Sequence, residues 1–503
     1  ELTFRELLGR VKDAVLGALT HQEVPFEKLV DALQLSRDLS RSPLVQVSFA
    51  LQTAPAGELS LPGLTTHTLD LGSRTAKFDL ALSLREDEEG LVGAWEFNTD
   101  LFKTATVERM TAHLLRLLDV AAEVPEARLN ALPMPGHREP PRKVTGARIS
   151  ARGKAQGSQS EDFIAPRTAM EARVVEVWAP LLGVGRIGAE DHFFEKGGHS
   201  LLVMQAASRL REALGVEVPV RMLFESPTVS SLAERLEALV RGGMTPRIPV
   251  LARSARDEAP PLSFAQQRLW FLDRLEPNSP LYNIAFALTL EGALDVGALE
   301  RSFQELVRRH ESLRTTIRQT EQGAVQHIDP VASVPVSRVD LTGLPPEERA
   351  REALRRGTEE EQRPFDLVTG PLLRVTLLKL SEREHVLVLV VHHIVSDGWS
   401  MGVLTKELES LYGAYVRGEA ATLPELPVQY ADYAVWQRER LNGEALEEQL
   451  SWWKGQLKGA PEYLEVSTDR PRPAVQTFRG ANVPARLSPS LSEKLQRLSQ
   501  QEG

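Results

Sequence analysis

At 503 residues, 42% hydrophobic and 25% charged, the chain has the composition of a soluble globular protein and a length that suggests roughly three domains. Its 59 basic and 69 acidic residues give a formal charge of -10, which argues against nucleic acid as a partner, and it contains no cysteine, which excludes disulfides, thiolate metal sites and a cysteine nucleophile. Any thiol chemistry must arrive on a cofactor. The most apolar run, His385 to Val395, falls short of the ~20 residues of a membrane span, and no signal peptide opens the chain, so a cytoplasmic location and no membrane partner are expected.

Residues 1 to 30 carry helical periodicity in Phe4, Leu7, Leu8, Val11, Val15 and Leu19, and again in Pro25, Phe26, Leu29 and Val30. Strand-like runs follow at Val45 to Leu51 and Asp79 to Leu84, then Trp95 and Phe97, then an amphipathic helix from Thr106 to Val120. This mixed α and β material has no catalytic cluster of its own. From Ala131 to Ser160 the composition turns to Pro, Gly, Ser, Arg and Lys, which reads as a linker.

Thr168, Ala169, Met170, Glu171 is a capping box that opens a helix carrying Val174, Val175, Val177, Trp178, Leu181 and Leu182, with Pro180 expected to bend it or end it early. Asp191, His192, Phe193, Phe194, Glu195, Lys196, Gly197, Gly198, His199, Ser200 then leads into a helical run from Leu201 to Leu214. Ser200 is at that helix start, where unpaired N–H groups and the positive end of the dipole favour a phosphate ester. Gly197 and Gly198 remove side-chain bulk around the hydroxyl. The plain alternative is that Ser200 is only an N-cap. A short turn near Val220 to Phe224 and a last helix after Pro227 and Thr228 complete what the pattern supports as a four-helix bundle.

After a second linker, Arg241 to Pro260, the informative stretch is His385 to Val391, a β-branched and leucine run expected to be a strand buried on both faces. It ends in His392, His393, Ile394, Val395, Ser396, Asp397, Gly398 and passes into a helical run. Neighbouring strand residues point to opposite faces, so only one histidine can face a cleft while the other packs inward. A metal site of His392, His393 and Asp397 is set aside because the histidines diverge and no fourth ligand is near. A structural reading, with Asp397 capping the helix at Gly398, stands beside a catalytic one.

The Gly197 to Leu201 run resembles the carrier motif of nonribosomal peptide synthetases, and His392 to Gly398 resembles the His-His-x-x-x-Asp-Gly motif of their condensation domains. Leu262 to Trp270, Arg309 to Thr315 and Tyr430 to Trp436 resemble further condensation motifs, and His21 to Val30 and Arg37 to Leu44 resemble two late ones. The resemblance implies a multidomain protein in which α+β, chloramphenicol-acetyltransferase-like condensation-domain parts flank an all-α four-helix carrier bundle. The expected division is the C-terminal part of a condensation domain at 1–129, a linker at 130–160, a peptidyl carrier at 161–242, a linker at 243–257 and the N-terminal part of a second condensation domain at 258–503. The chain then reads as a piece of a longer protein. The catalytic half of the first condensation domain would lie before Glu1, and the last domain would lack most of its second lobe.

By the same resemblance, 4'-phosphopantetheine is attached at Ser200 with Gly197, Gly198 and His199 around it. His393 is the catalytic histidine, and His392, Asp397, Gly398 and Arg314 are structural, with Arg314 the candidate partner of Asp397. The implied reaction is attack of an acceptor α-amine on a donor thioester, which needs orientation and modest proton handling, a demand imidazole meets. Because the cleft is shared between lobes, the chain by itself is expected to accept the arm without forming amide bonds. The implied partners are a phosphopantetheinyl transferase, neighbouring carrier and condensation domains, and an adenylation domain acting from elsewhere, since no nucleotide-binding loop is present. The residue before Ser200 favours an L-configured donor. A coenzyme-A-dependent acyltransferase of the same fold, or a non-catalytic carrier scaffold, are the competing functions.

Overall fold

The computed structural model describes residues 2–132, 163–242 and 251–502, apart from 35–37, 39, 53–58, 73, 88–89, 199, 332 and 422. Helix α1, Phe4–Thr20, starts at a capping box in which Thr3 accepts from the Glu6 N–H and Glu6 accepts from the Thr3 N–H. Helix α2, Phe26–Leu33, follows Pro25. Strands β1, Val47–Gln52, β2, Leu64–Thr68, β3, Leu80–Asp87, and β4, Gly90–Asn98, precede helix α3, Thr104–Glu123. The alternation of Leu80, Leu82 and Leu84 puts one face of β3 into the core. The late motif at Arg37 to Leu44 falls partly outside the described residues, at Arg37 and Leu39.

The bundle comprises α4, Ala169–Leu182, α5, Ser200–Leu214, α6, Val220–Glu225, and α7, Val229–Arg241. Thr168 and Glu171 form the expected capping box. Helix α4 runs through Pro180 to Leu182 and stops at Gly183, whose φ of 66° suits glycine. The expected early end does not occur because a proline in the last turn forfeits only the bond to the carbonyl four residues back. Val174, Trp178, Phe193, Val203, Leu210, Leu232 and Leu236 fill the bundle core.

The last region holds α8, Phe264–Leu275, β5, Asn283–Gly292, α9, Val296–Arg309, β6, Thr315–Thr320, β7, Gly323–Ile328, β8, Val336–Asp340, α10, Pro346–Gln362, β9, Leu373–Lys379, β10, Glu384–His392, α11, Gly398–Val416, α12, Tyr430–Arg440, α13, Gly443–Gln456, β11, Gly480–Arg486, and α14, Pro489–Glu502. One sheet has the order β2-β5-β10-β9-β8 and a second the order β1-β3-β4-β11. Strand β10 is central, antiparallel to both neighbours, and buried from His385 to His392.

Both sheets join the first segment to the last. β11 pairs antiparallel with β4, Val483 opposite Trp95, and β2 pairs antiparallel with β5, Thr66 opposite Leu290. Residues of the first segment thus complete, with β11, the two sheets of the last region. An open edge on β4 would leave a row of backbone donors and acceptors unpaired, and β11 satisfies them. Side chains close the same seam. Arg472 forms an ion pair with the Asp79 carboxylate. Trp453 donates its indole N–H to the His21 carbonyl at 2.8 Å. Arg440 pairs with Glu23 at 2.5 Å and Arg268 with Glu27 at 3.2 Å. Gly480 is obligatory, because a Cβ there would lie 2.2 Å from the Thr75 carbonyl oxygen. The stretch expected to be a linker before residue 258 is partly pinned, since Ser254 donates to Asp432 at 2.9 Å and Arg256 pairs with Asp432 at 2.9 Å. A buried aspartate needs such partners.

Candidate functional site

The histidine motif lies where β10 gives way to α11, in the expected strand-to-helix loop. His392 is 4% exposed. Its Nδ1 accepts the Ile394 N–H at 3.1 Å, and the Phe365 ring stands edge-on to it at 6.0 Å. Burial, then the neighbouring His393, Lys77 and Arg374, push His392 down to about 4, so it is neutral at pH 7.

His393, in the turn just after β10, is half-buried. Its Nδ1 is 2.8 Å from the Ser396 carbonyl, an acceptor only, so this nitrogen carries the proton and Nε2 presents a lone pair. The backbone N–H of His393 donates to the Tyr282 carbonyl at 2.8 Å, and the Tyr282 ring is 6.4 Å from the imidazole. The imidazole is therefore fixed in position and tautomer.

Asp397 caps α11, accepting from the Ser400 N–H at 2.8 Å and the Ser400 hydroxyl at 2.6 Å. A Cβ on Gly398 would meet nothing within 4 Å, so the space beside it is open. The Arg314–Asp397 pair implied by the resemblance is not formed. Arg314 instead donates to the Asp329 carbonyl at 2.6 Å and lies 4.0 Å from Glu311, partners closer to it in the chain.

Sequence reasoning missed two sets of residues. Arg309 and His310 both engage Glu407 of α11, at 3.1 Å and 2.8 Å, tying the helix that opens at Gly398 to the end of α9. His310 and the Arg309 guanidinium hold Glu407 down to about 2, against the opposing effect of burial. Second, Lys77 from the first segment sets its ammonium 4.8 Å from the Tyr282 ring centroid. A charged residue just ahead of the Asp79 to Leu84 strand run was the only sequence signal for it. The fourth motif meets the start of α8, where the Tyr430 hydroxyl is 2.9 Å from the Ser263 hydroxyl, and Gln266 of that helix donates to the Ile394 carbonyl of the histidine loop at 3.3 Å.

In the bundle, Phe193 is 1% exposed and meets Trp178 edge-on at 4.7 Å, while Phe194 stacks on Phe224 at 5.2 Å. Asp191 accepts from the Gly188 N–H at 2.8 Å. Gly197 has φ 94° and open space where a Cβ would be. Gly198 has a different role from the one expected. A Cβ there would lie 2.2 Å from the Phe193 ring, so this glycine is needed for packing. Ser200 is the first residue of α5, and His199 lies outside the described residues. An unobstructed Gly197 beside a 15-residue helix start suits a covalent phosphodiester.

A family model described as condensation domain matches residues 1–140 and 256–503. The chain belongs to the condensation-domain family. A second model, described as phosphopantetheine attachment site, matches residues 172–236 within this condensation-domain chain. The chain is 50% identical over 343 residues to one of the linear gramicidin synthase proteins of Brevibacillus parabrevis, covering 68% of this chain and 4% of that protein. It is 40% identical over 342 residues to phosphinothricin tripeptide synthetase PhsB of Streptomyces viridochromogenes, covering 67% of this chain and 29% of that one. Among solved structures, the complex of the X-domain and OxyB from teicoplanin biosynthesis is 36% identical, covers 45% of this chain and 49% of that chain, and has a TM-score of 0.41. The chain thus consists of peptide-synthetase condensation and carrier domains, spanning a small part of the length of the curated relatives it matches. Condensation domains of these synthetases catalyse amide-bond formation, and the carrier domain is the site of phosphopantetheine attachment. Among the described residues no helix is long and apolar enough to cross a membrane.

Proposed function

We propose that this condensation-domain chain carries an aminoacyl or peptidyl donor on Ser200 and condenses it with an acceptor amine at His393. The division into a condensation part at 1–129, a carrier at 161–242 and a condensation part at 258–503 belongs to the same proposal. The observation that carries it is the state of His393: Nδ1 is committed to the Ser396 carbonyl, which leaves Nε2 as an acceptor.

The phosphopantetheine group, when bound, supplies a thiol that holds acyl groups as thioesters. The chain's own residues supply the rest. Nε2 of His393 accepts a hydrogen bond from the attacking amine, orienting its lone pair toward the thioester carbonyl and taking up its proton as the C–N bond forms. As the C–S bond of the thioester breaks, Nε2 of His393 returns that proton to the departing sulfur. The Ser396 carbonyl stabilises the imidazolium in between, because Nδ1–H already points at it. His392, buried and neutral, keeps a second charge away from the site.

Residues of the first segment reach the His393 neighbourhood, with the Lys77 ammonium 4.8 Å from the Tyr282 ring centroid, which supports competence over the loading-only behaviour expected from sequence. The reading also places a phosphopantetheinyl transferase and an adenylation domain acting from elsewhere among its partners, in the cytoplasm where coenzyme A is available. Mass spectrometry of the full chain after incubation with coenzyme A and a phosphopantetheinyl transferase tests the first step. One added arm on the Ser200 peptide, lost in Ser200→Ala, is the expected result. No addition, or addition elsewhere, contradicts it.

A further inference from the structure

Lys77 reaches the histidine site from the other side of the seam. Its backbone is held at both ends, with its N–H donating to Glu96 Oε1 at 3.1 Å and its carbonyl accepting from Gln476 Nε2 at 3.2 Å. Its ammonium lies 4.8 Å from the Tyr282 ring centroid, and Tyr282 touches His393 twice, through its ring at 6.4 Å and its carbonyl at 2.8 Å. A cation over an aromatic face is attracted by the ring quadrupole, more strongly when desolvated. The lysine is half-buried, and one Glu96 oxygen is engaged by the lysine's own backbone N–H.

We propose that Lys77 is a positioning residue for the His393 site, acting across the seam through Tyr282. The first segment then contributes to the chemistry as well as to the sheets. By clamping the Tyr282 ring, the ammonium fixes the residue whose carbonyl anchors His393. Its charge also disfavours a proton on the neighbouring His392, a group that additionally faces His393 and Arg374 of β9. Burial, with Arg268 of α8, pulls the Lys77 ammonium down, and Glu96 of β4 opposes them; burial in turn pushes the Glu96 carboxyl up.

The inference rests on His393 being the condensation site, so its test has one readout that needs no turnover. In the full chain, the histidine titrations are followed by NMR for wild type, Lys77→Met and Lys77→Arg. Methionine keeps most of the stem and removes the charge. The expected result is that His392 takes its proton at higher pH in Lys77→Met, at least threefold tighter, and returns to its wild-type behaviour in Lys77→Arg. In amide formation with the arm loaded, Lys77→Met should lower kcat about tenfold, equivalent to about 1.4 kcal/mol, with KM unmoved, and should have no further effect in a Tyr282→Leu background. A His392 titration indifferent to Lys77→Met, or an equal loss of kcat with and without the Tyr282 ring, overturns the inference. A wild-type chain that titrates as expected but forms no amide would instead count against the condensation reading alone.

Discussion

Trp452 lies flat on His21, with ring centroids 4.4 Å apart and planes within 3°. The two residues come from opposite ends of the chain, with the whole carrier between them. Helix α1 can approach this closely because residue 17 is glycine; a Cβ there would lie 2.4 Å from the Trp452 ring. The contact belongs to a seam that also includes strand pairing and the Arg472–Asp79 ion pair.

That seam should hold without the covalent connection. If a protease site is placed between residues 140 and 160 of the full chain and cut, the two pieces are expected to co-elute in size-exclusion chromatography. Gly480→Val, which forces side-chain atoms into the Thr75 backbone, should separate them, and Trp452→Ala should weaken the association by about 2 kcal/mol, the scale of removing a large half-buried ring.

His392 makes stability depend on pH in a defined window. Its folded value, about 4, lies below the ordinary 6.5, so the unfolded chain binds the extra proton first. The stability associated with neutral His392 is complete above about pH 6.5 and is lost as pH falls toward 4. Urea midpoints should show about 2 kcal/mol lost between pH 7.5 and 5 in wild type. Replacing His392 with glutamine should remove that part of the slope.

Glu407 works in the opposite part of the scale. Held down to about 2 by His310 and Arg309, it contributes above the ordinary 4.5 and loses its contribution as pH falls toward 2. Among the described residues, Glu407→Ala leaves the buried Arg309 guanidinium hydrogen-bonded to the Leu423 and Pro424 carbonyls, at 3.5 Å and 3.0 Å. The expected cost is about 3 kcal/mol in denaturant unfolding, with kcat reduced because α11 carries Asp397 and Gly398.

The two carrier glycines should separate by mechanism. Gly197→Ala meets open space and strains only a backbone at φ 94°, costing about 1 kcal/mol. Gly198→Ala collides with Phe193 and should cost about 2 kcal/mol or more, with slower pantetheinylation because the start of α5 shifts. Thermal melts and loading rates of the two full-length variants distinguish these outcomes.

Local elements were readable in the sequence because each had its own signal: the Thr168 to Glu171 capping box, the apolar run of β10, the serine opening α5. The strand-to-helix loop followed from the apolar run that stops at His392, whereas the two-residue period does not reach His393, which lies in the turn after β10. The seam was not readable, because the alternation in β4 and β11 says which face is buried and nothing about whose edge is adjacent. Arg314 was misassigned for a related reason. A guanidinium takes the nearest acceptors, here the Asp329 carbonyl and Glu311, and no spacing rule ranks those against a carboxylate brought near by folding. The lysine at 77 became meaningful only when the chain just ahead of β5 placed Tyr282 beside it.

The central claim is that His393 joins an amine to a thioester held at Ser200. The most direct measurement is dipeptide formation by the full chain, with an aminoacyl arm loaded enzymatically on Ser200 and glycyl-pantetheine in solution as acceptor. The account predicts product in wild type and at least a hundredfold slower formation in His393→Ala, with loading of Ser200 unchanged. Equal rates in wild type and His393→Ala would contradict it.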